Sequence, residues 1–232
     1  MGSVILAGII LKLGAYAMLR FLFSSLSLIV IDLLFFILLV AFLSFIHASL
    51  VAFNQIDIKK IIAYSSISHM NFSLLGLFSL HLLGLSGAFL MLFGHALTAS
   101  ALFLGVGVLY DRYKTRLIFY YSSMALFMPM FSLIYFCFIL ANFGFPGTVN
   151  FVGEFMLLAG AFHFSNFLVL CSTLGLVLTL VYSLFFFNRV FFGVATPSIY
   201  LRFYSDYSRR EAFIHLLLLF LILLWGFYPH LL

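Results

Sequence analysis

Long apolar stretches separated by short polar segments make up most of this chain. Seven apolar segments are present, and their approximate bounds are residues 3–20, 27–52, 60–80, 83–109, 119–162, 166–193 and 211–229. A helix needs about 20 apolar residues to cross the hydrocarbon core of a bilayer. The fifth segment is roughly twice that length. The pattern therefore predicts an all-α polytopic membrane protein with about seven transmembrane helices, forming a single membrane domain over residues 1–232.

The long fifth segment contains a helix-breaking sequence near its middle. Residues 141–148 read Ala-Asn-Phe-Gly-Phe-Pro-Gly-Thr. Pro146 lacks an amide donor and clashes with the preceding helical turn, and Gly144 and Gly147 loosen the backbone further. The segment is therefore either one interrupted span, broken near residues 142–147, or two complete spans joined by a tight turn. Length alone leaves both alternatives open.

The placement of basic residues distinguishes these alternatives. With one interrupted span, Arg20 lies on one side of the membrane and Lys12 lies within it. Nine basic residues then share the side that holds the chain start: Lys59, Lys60, Arg112, Lys114, Arg116, Arg189, Arg202, Arg209 and Arg210. With two complete spans the split becomes five to five. Because basic residues concentrate on the cytoplasmic side of membrane proteins, the interrupted span is favoured. The N-terminus then lies on a cytoplasm-like side and the C-terminus on the opposite side.

Composition supports the membrane class and narrows the chemistry. Hydrophobic residues make up 66% of the chain, charged residues only 7%, and the mean hydropathy is +1.29, whereas a soluble domain has about 25% charged residues. Cys137 and Cys171 lie in apolar runs without metal-ligand spacing. The sequence shows no phosphate-binding glycine loop and no nucleophile motif. We therefore expect no metal site, no catalytic residue, no bound cofactor and no nucleic-acid partner.

Two charged residues lie in the middle of apolar segments. Lys12 has about nine uncharged residues on each side, and Glu154 lies within the apolar run 151–160. A charge near the bilayer centre costs roughly 2.5–3.5 kcal/mol, so each charge is expected to face a partner, water or a moving ion. A buried lysine can take up and release protons. Asn150 lies one helical turn before Glu154 and could donate a hydrogen bond to it.

Two histidines also lie within apolar helices. His69 follows Ser65 by four residues on the same helical face, and His95 has Thr98 on its face. Because imidazole exchanges protons near neutral pH, each histidine is either part of a proton relay or a packed and hydrogen-bonded core residue, and both interpretations stay open. We expect no function for the remaining histidines, which are His47, His81, His163, His215 and His230.

Several stretches of the chain resemble a known family. They are residues 2–16, 54–70, 92–104, 109–117 and 141–155. These stretches resemble the antiporter-like membrane subunits of NADH:ubiquinone oxidoreductase, complex I, and the Ser-His-Met sequence at residues 68–70 is most similar to the mitochondrial subunit 4 family. The similarity follows the chain in order and is weakest over 21–53 and 195–232.

The resemblance implies a fold and a role. Members of this family have fourteen helices in two inverted repeats, each with one broken helix, and this chain resembles the eighth to fourteenth helices. It implies proton translocation coupled to electron transfer from NADH to ubiquinone, as part of a multisubunit enzyme. The protonatable residues would be Lys12, His69, His95 and Glu154. The supporting polar and hinge residues would be Ser65, Thr98, Asn142, Gly144, Pro146, Gly147 and Asn150.

The resemblance also implies partners and a location. A separate chain is expected to carry the first seven helices, beside neighbouring antiporter-like subunits and membrane lipids. NADH, flavin, iron–sulfur clusters and ubiquinone are expected elsewhere in the complex, so this chain alone should have no activity. The location would be the mitochondrial inner membrane, with the N-terminus in the matrix and the C-terminus in the intermembrane space. Two alternatives are a cation/proton antiporter subunit and a structural assembly fragment.

Overall fold

A computed structural model describes residues 2–22, 25, 27–193 and 205–231 of the chain. Its main helices are α1 (Gly2–Phe21), α2 (Ser27–Phe53), α3 (Ile58–Leu77), α4 (Leu82–Tyr113), α5 (Pro129–Asn142), α6 (Val149–Phe164), α7 (Asn166–Phe191) and α8 (Arg209–Phe227). Within these ranges no β-strand forms, and the only β-type pairing is an isolated bridge between Asp57 and Leu117. The all-α prediction is confirmed.

Five helices of the described structure are long and apolar enough to cross a membrane: α1, α2, α4, α7 and α8. Helix α3 has 20 residues but is more polar, because it contains two lysines and four serines. Helices α5 and α6 have 14 and 16 residues. At about 1.5 Å per residue, each of these two falls short of a hydrocarbon core of about 30 Å.

Helices α5 and α6 lie one after the other along α4. The ring of Tyr135 in α5 occupies the space beside Gly105, where a Cβ would lie 2.4 Å from it. Further along, Gly153 of α6 lies against Met91 of α4, where a Cβ on Gly153 would lie 2.9 Å from the backbone nitrogen of Met91. As residue numbers rise along α5 and α6, the numbers of the residues that they contact on α4 fall. The two helices together make a single antiparallel pass along α4, which is the geometry of one interrupted span.

The loops lie at two opposite ends of the helix bundle. At one end Asp57 pairs with Leu117, and the amide of Ser123 donates to the carbonyl of Phe192 at 3.3 Å. At the other end the rings of His81 and His163 stack at 4.1 Å. The first end holds the loops and helix termini that carry the predicted basic cluster, except Arg202, which lies outside the described residues.

The predicted fifth segment started too early. Residue 119 lies in a short 3-10 turn, Ile118–Tyr120, and helix α5 begins only at Pro129. Ser123 takes a left-handed conformation with φ of 50°, which interrupts the helical path before α5. Pro129 then restarts the helix at its first position, where its missing amide costs nothing. The apolar run 119–128 misled the prediction because hydropathy reports burial and not backbone conformation.

Helix α4 is the central element of the bundle and contacts α1, α3, α5, α6 and α8. Aromatic rings fill the space between α4, α5 and α7: Phe131, Tyr135 and Phe191 stack pairwise at 5.3–5.6 Å. The outer faces of α2 and α7 present large apolar side chains, such as Phe35 and Phe167, which are exposed by 75% and 76%. Such faces are suited to contact with lipid or with other apolar chains.

Candidate functional site

Glu154 of α6 and His69 of α3 approach each other inside the bundle. The Nδ1 atom of His69 lies 3.9 Å from Oε1 of Glu154, and the two side chains are 0% and 8% exposed. Among the described residues, neither of these two atoms has a hydrogen-bond partner. The separation is too long for a hydrogen bond. The fold therefore brings two protonatable side chains close together in the interior.

His95 of α4 extends this arrangement to a third helix. The rings of His69 and His95 are 5.2 Å apart between centroids and are tilted by 35°. Both nitrogens of His95 are buried, and neither finds a partner in the part of the chain that the structure describes. Buried polar atoms in folded proteins nearly always have a partner. Unpaired protonatable atoms on three neighbouring helices are therefore unusual for a purely structural core.

Lys12 joins the group from α1. It lies just after a π-helical turn, Leu6–Ile10, and its Nζ donates to the carbonyl oxygen of Ala7. Lys12 lines a groove of about 520 Å³ between α1 and α4, and α4 also carries His95. Irregular π turns often occur at functional sites. Lys12 therefore lies beside the helix of His95, next to an irregular turn.

The break between α5 and α6 holds the carboxylate of Glu154. Gly144 has φ of +71°, and a Cβ there would lie 2.1 Å from Oε2 of Glu154. Gly147, with φ of +94°, exposes its carbonyl to α8, where a Cβ on Gly226 would lie 2.2 Å from that oxygen. Both glycines are therefore required by conformation, and Gly144 is also required by close approach. Pro146 lies exposed between them.

Asn150 has a different partner from the predicted one. Its Nδ2 donates to the carbonyl of Ala141 at 2.8 Å and to Oγ1 of Thr98 at 3.3 Å. It therefore links the two halves of the broken span to α4, and the predicted hydrogen bond to Glu154 is wrong. The same Ala141 carbonyl also accepts the backbone amide of Gly144 at 3.3 Å, so Asn150 adds a second and shorter hydrogen bond at the point where the helix ends.

Ser65 and Asn142 lie near the same break. Ser65 donates to the carbonyl of Ile62 at 2.8 Å and is not bonded to His69. Asn142 ends α5 and is 3% exposed, and no donor in the described structure reaches its Oδ1. His69, His95 and Glu154 therefore converge where α3, α4 and α6 meet beside the break, whereas Lys12 lies on α1, which packs against α4.

Tyr182 of α7 is a buried polar side chain that the sequence analysis missed. It is 2% exposed, and its hydroxyl has no hydrogen-bond partner among the described residues. Sequence held a weak signal, since Tyr182 falls on the same face of α7 as Thr179 three residues earlier. A tyrosine among many aromatic residues does not stand out without knowledge of which helix face is buried.

The charged end of the bundle contains a clamp formed by Arg112, Asp206 and Glu211. The guanidinium of Arg112 lies 2.9 Å from Oε2 of Glu211 and donates to the carbonyl of Asp206 at 3.0 Å. The Asp206 carboxylate accepts the first free amides of α5, from Met130 at 2.9 Å. Burial, together with the carboxylates of Glu211 and Asp206, raises the pKa of the Tyr207 hydroxyl, so this phenol stays neutral.

His215 and the paired His81 and His163 differ from the central histidines. His215 is 2% exposed, and its Nδ1 lies 2.8 Å from the carbonyl of Glu211 within its own helix. His81 caps α4 by accepting from the amide of Leu83 at 3.2 Å. Over the ranges that the structure describes, no group of three or more His, Cys, Asp or Glu side chains is placed to hold a metal ion.

An interrupted helix, buried histidine and glutamate side chains beside it and a half-buried lysine on α1 together define a polytopic membrane subunit of the antiporter-like type. Residues 1–179 match the family described as the transmembrane region of NADH:quinone oxidoreductase and Mrp antiporter. The chain belongs to this family, as the sequence resemblance predicted.

Curated relatives support the same assignment. The chain is 46% identical to NADH-ubiquinone oxidoreductase chain 4 of Chondrus crispus over 229 residues, which is 99% of this chain and 46% of that protein. It is also 46% identical to chain 4 of Marchantia polymorpha over 228 residues, covering 98% of this chain and 46% of that protein. The chain therefore spans about half the length of the curated relatives that it matches.

Solved structures agree on the fold. The structure superposes on a chain of respiratory complex I from Thermus thermophilus with a TM-score of 0.88 at 30% identity, covering 94% of this chain and 46% of that one. It superposes on a chain of the Mrp complex from Dietzia sp. with a TM-score of 0.78 at 19% identity, covering 85% and 45%. The second likeness bears on the fold alone.

Proposed function

We propose that this chain translocates protons within the membrane arm of a respiratory NADH:ubiquinone oxidoreductase. The observation that carries the proposal is the approach of His69 to Glu154 beside the helix break. Both groups are protonatable, both are buried, and neither is neutralised by a close ion pair with a permanent charge in the described structure. An ionisable side chain is costly inside a membrane protein, and such residues mark proton relays and other functional pathways.

The mechanism follows from mutual influence between neighbouring charges. A proton enters the chain of groups and resides on Lys12, His95, His69 or Glu154 in turn, joined by water where side chains do not meet. Each arrival changes the energy of the proton on the next group, because buried charges interact strongly and titrate as a set. The break supports this exchange, since Gly144 lets the carboxylate lie against the backbone.

The rest of the proposal concerns the surroundings of the chain. The partners are a separate chain with the first seven helices and the neighbouring antiporter-like subunits. The location is the mitochondrial inner membrane, with the charged end of the bundle in the matrix. In this proposal electrons travel elsewhere in the complex, through flavin, iron–sulfur clusters and ubiquinone, and other chains bind the redox groups. The positive-inside rule supports the orientation, because the basic residues gather at one end.

The test is Glu154→Gln in the assembled complex, reconstituted into sealed vesicles and supplied with NADH and a quinone. We expect assembly to persist and proton pumping to stop, because glutamine fills the same space and cannot carry the proton. Asp32→Asn is the matched control, since Asp32 is an exposed carboxylate and its loss should leave pumping unchanged. Normal pumping by Glu154→Gln would show that the relay is wrong.

Two other functions remain to be distinguished by experiment. The family description includes Mrp antiporters, which favours a cation/proton antiporter subunit as the second candidate; sodium-driven proton movement without NADH would support it. A structural assembly fragment would be indicated if Lys12→Met assembled and pumped at the full rate. The 46% identity to NADH-ubiquinone oxidoreductase chain 4 supports the proposal over the antiporter subunit.

A further inference from the structure

We infer that the surface around Arg189, at the charged end of the bundle, binds an anionic phospholipid, with the phosphate on Arg189 and an acyl chain along the outer face of α7. The inference goes beyond the proposed function, because lipid binding at this surface does not require proton translocation. It rests on one arginine, the two hollows on either side of it, and an exposed apolar stripe on α7.

Arg189 is held in place without using its charge. It lies in the last turn of α7, and its guanidinium lies over the ring of Phe119, 5.7 Å from the ring centre. A contact of this kind orders the side chain and leaves the N–H donors available. None of the ion pairs between described residues involves Arg189, whereas Arg112 at the same end is paired with Glu211. An ordered arginine without a carboxylate partner is suited to binding a phosphate.

The first hollow beside Arg189 is polar. It has a volume of about 360 Å³, and Ser122 and Asn188 line it together with the arginine. The Oγ atom of Ser122 is buried and has no hydrogen-bond partner in the part of the chain that the structure describes. Buried polar atoms nearly always have a partner, so the hydroxyl is a donor awaiting an acceptor. The side-chain amide of Asn188 can donate as well. Among the described residues that line this hollow, none is acidic.

The second hollow is apolar and lies on the other side of Arg189. It has a volume of about 190 Å³, and its lining includes Ile56 and Phe185. Phe185 lies one helical turn before Arg189, and its ring is 5.2 Å from that of Phe53 at the end of α2. Arg189 therefore separates a polar surface from an apolar one. A phospholipid has the same order of parts, because its phosphate lies between a polar head and apolar chains.

An exposed apolar stripe continues from the second hollow along α7. Phe185, Val181 and Val177 are exposed by 47%, 42% and 59%, and residues four apart lie on one face of a helix. Between Arg189 and Val177 the helix rises about 18 Å, at about 1.5 Å per residue. One leaflet is about half of a hydrocarbon core of about 30 Å. The stripe is therefore long enough for an acyl chain that reaches the middle of the bilayer.

The surroundings place Arg189 at the depth of the lipid head groups and favour a negative charge there. Phe119, Tyr120 and Phe192 are exposed aromatic residues, and aromatic side chains collect at the membrane–water interface. Lys59 and Arg116 lie over the ring of Tyr110 at the same end. Basic pockets between transmembrane helices on this side of a membrane bind anionic head groups. An acidic protein segment would satisfy the arginine but would leave the apolar stripe uncovered.

The experiment labels the assembled complex in nanodiscs with two photoactivatable phospholipids. Both probes carry the reactive group in the same acyl chain, and their head groups are phosphatidylglycerol, which is anionic, and phosphatidylcholine, which is zwitterionic. Mass spectrometry of the cross-linked peptides measures labelling of residues 174–185. We expect the anionic probe to label this segment about fivefold more strongly, the effect of about 1 kcal/mol per basic residue near the surface. This comparison needs no variant, so it remains decisive if a variant does not assemble.

Arg189→Gln tests the residue itself. We expect labelling by the anionic probe to fall about tenfold, because the phosphate loses a charge-assisted hydrogen bond. Arg210→Gln is the matched control, since Arg210 is an exposed arginine at the same end and lines neither hollow. Its labelling should stay unchanged. Equal labelling by the two probes, or an equal fall in the two variants, would overturn the inference.

Two further outcomes distinguish other occupants. An excess of inorganic phosphate at constant ionic strength should leave labelling unchanged, because a free anion does not cover the apolar stripe; loss of the label would show a site for a free anion instead of a lipid. No labelling of residues 174–185 by either probe, together with a chemical cross-link from this segment to a neighbouring subunit, would show that protein covers the surface. Either result would overturn the inference, whether or not Glu154→Gln stops pumping.

Discussion

Gly144 leaves open the space that the carboxylate of Glu154 occupies. A Cβ at this position would lie 2.1 Å from Oε2 of Glu154, and the backbone there has φ of +71°. The helix break therefore does more than interrupt a span, because it brings bare backbone against the one acidic side chain that lies among the central histidines. The break and the protonatable cluster form a single unit.

Gly144→Ala tests this relationship. We expect it to destabilise the chain by about 1–2 kcal/mol through the left-handed backbone alone and to abolish translocation by displacing the carboxylate. Thermal unfolding of the assembled complex and NADH-driven pumping measure the two effects. Gly193→Ala is the control, since Gly193 has φ of +107° but no atom near a Cβ. It should share the strain and keep pumping; equal loss of pumping in both variants would count against the contact.

His69→Asn should reduce proton translocation by about a hundredfold or more, the scale of losing a positioned acid–base group. The reason is that His69 lies between His95 and Glu154. His163→Asn provides the comparison, because its ring stacks on His81 at the end of the bundle and has no contact with Glu154. We expect normal pumping in that variant, measured in the same vesicles. A similar loss in both would indicate that imidazoles act here only through packing.

Asn150→Ala should destabilise the complex by about 1 kcal/mol, because the carbonyl of Ala141 loses the shorter of its two hydrogen bonds and keeps only the amide of Gly144 at 3.3 Å. The lost contact measures 2.8 Å. Asn71→Ala removes a comparable bond of 2.9 Å to Ile67 at an exposed position, where water replaces the lost partner, so the cost should be about 0.5 kcal/mol or less. Thermal denaturation of the assembled complex compares the two. Similar costs would mean that the break does not depend on Asn150.

The ion pair between Arg112 and Glu211 should contribute about 1–2 kcal/mol of coupling in a double-mutant cycle with Arg112→Gln and Glu211→Gln. The side chains are only 12% and 28% exposed. The pair of Lys60 and Asp57, at 3.6 Å with 64% and 32% exposure, serves as the reference and should give about 0.5 kcal/mol or less. Unfolding of the complex by heat at two salt concentrations reports both. Equal coupling energies in the two cycles would show that the Arg112–Glu211 pair stabilises the fold no more than an exposed ion pair does.

Hydropathy and charge placement were enough to predict an all-helical membrane bundle. They also predicted one interrupted span, because only that topology places nine basic residues on one side of the membrane and one on the other. The start of α5 was placed wrongly, because residues 119–128 are apolar but contain the left-handed Ser123. Composition reports whether a segment is buried, and backbone dihedral angles depend on the atoms around it.

For the candidate site too, the sequence revealed some residues, while other contacts depended on the tertiary structure. Lys12 and Glu154 stood out in the sequence because a charge in an apolar run carries a known energetic cost wherever it lies. The partner of Asn150 was predicted wrongly, because it depends on which helix faces the break. Which helices are neighbours depends on side-chain packing among α3, α4, α6 and α7. This packing joins residues that are far apart in the chain, so no local stretch of sequence reports it.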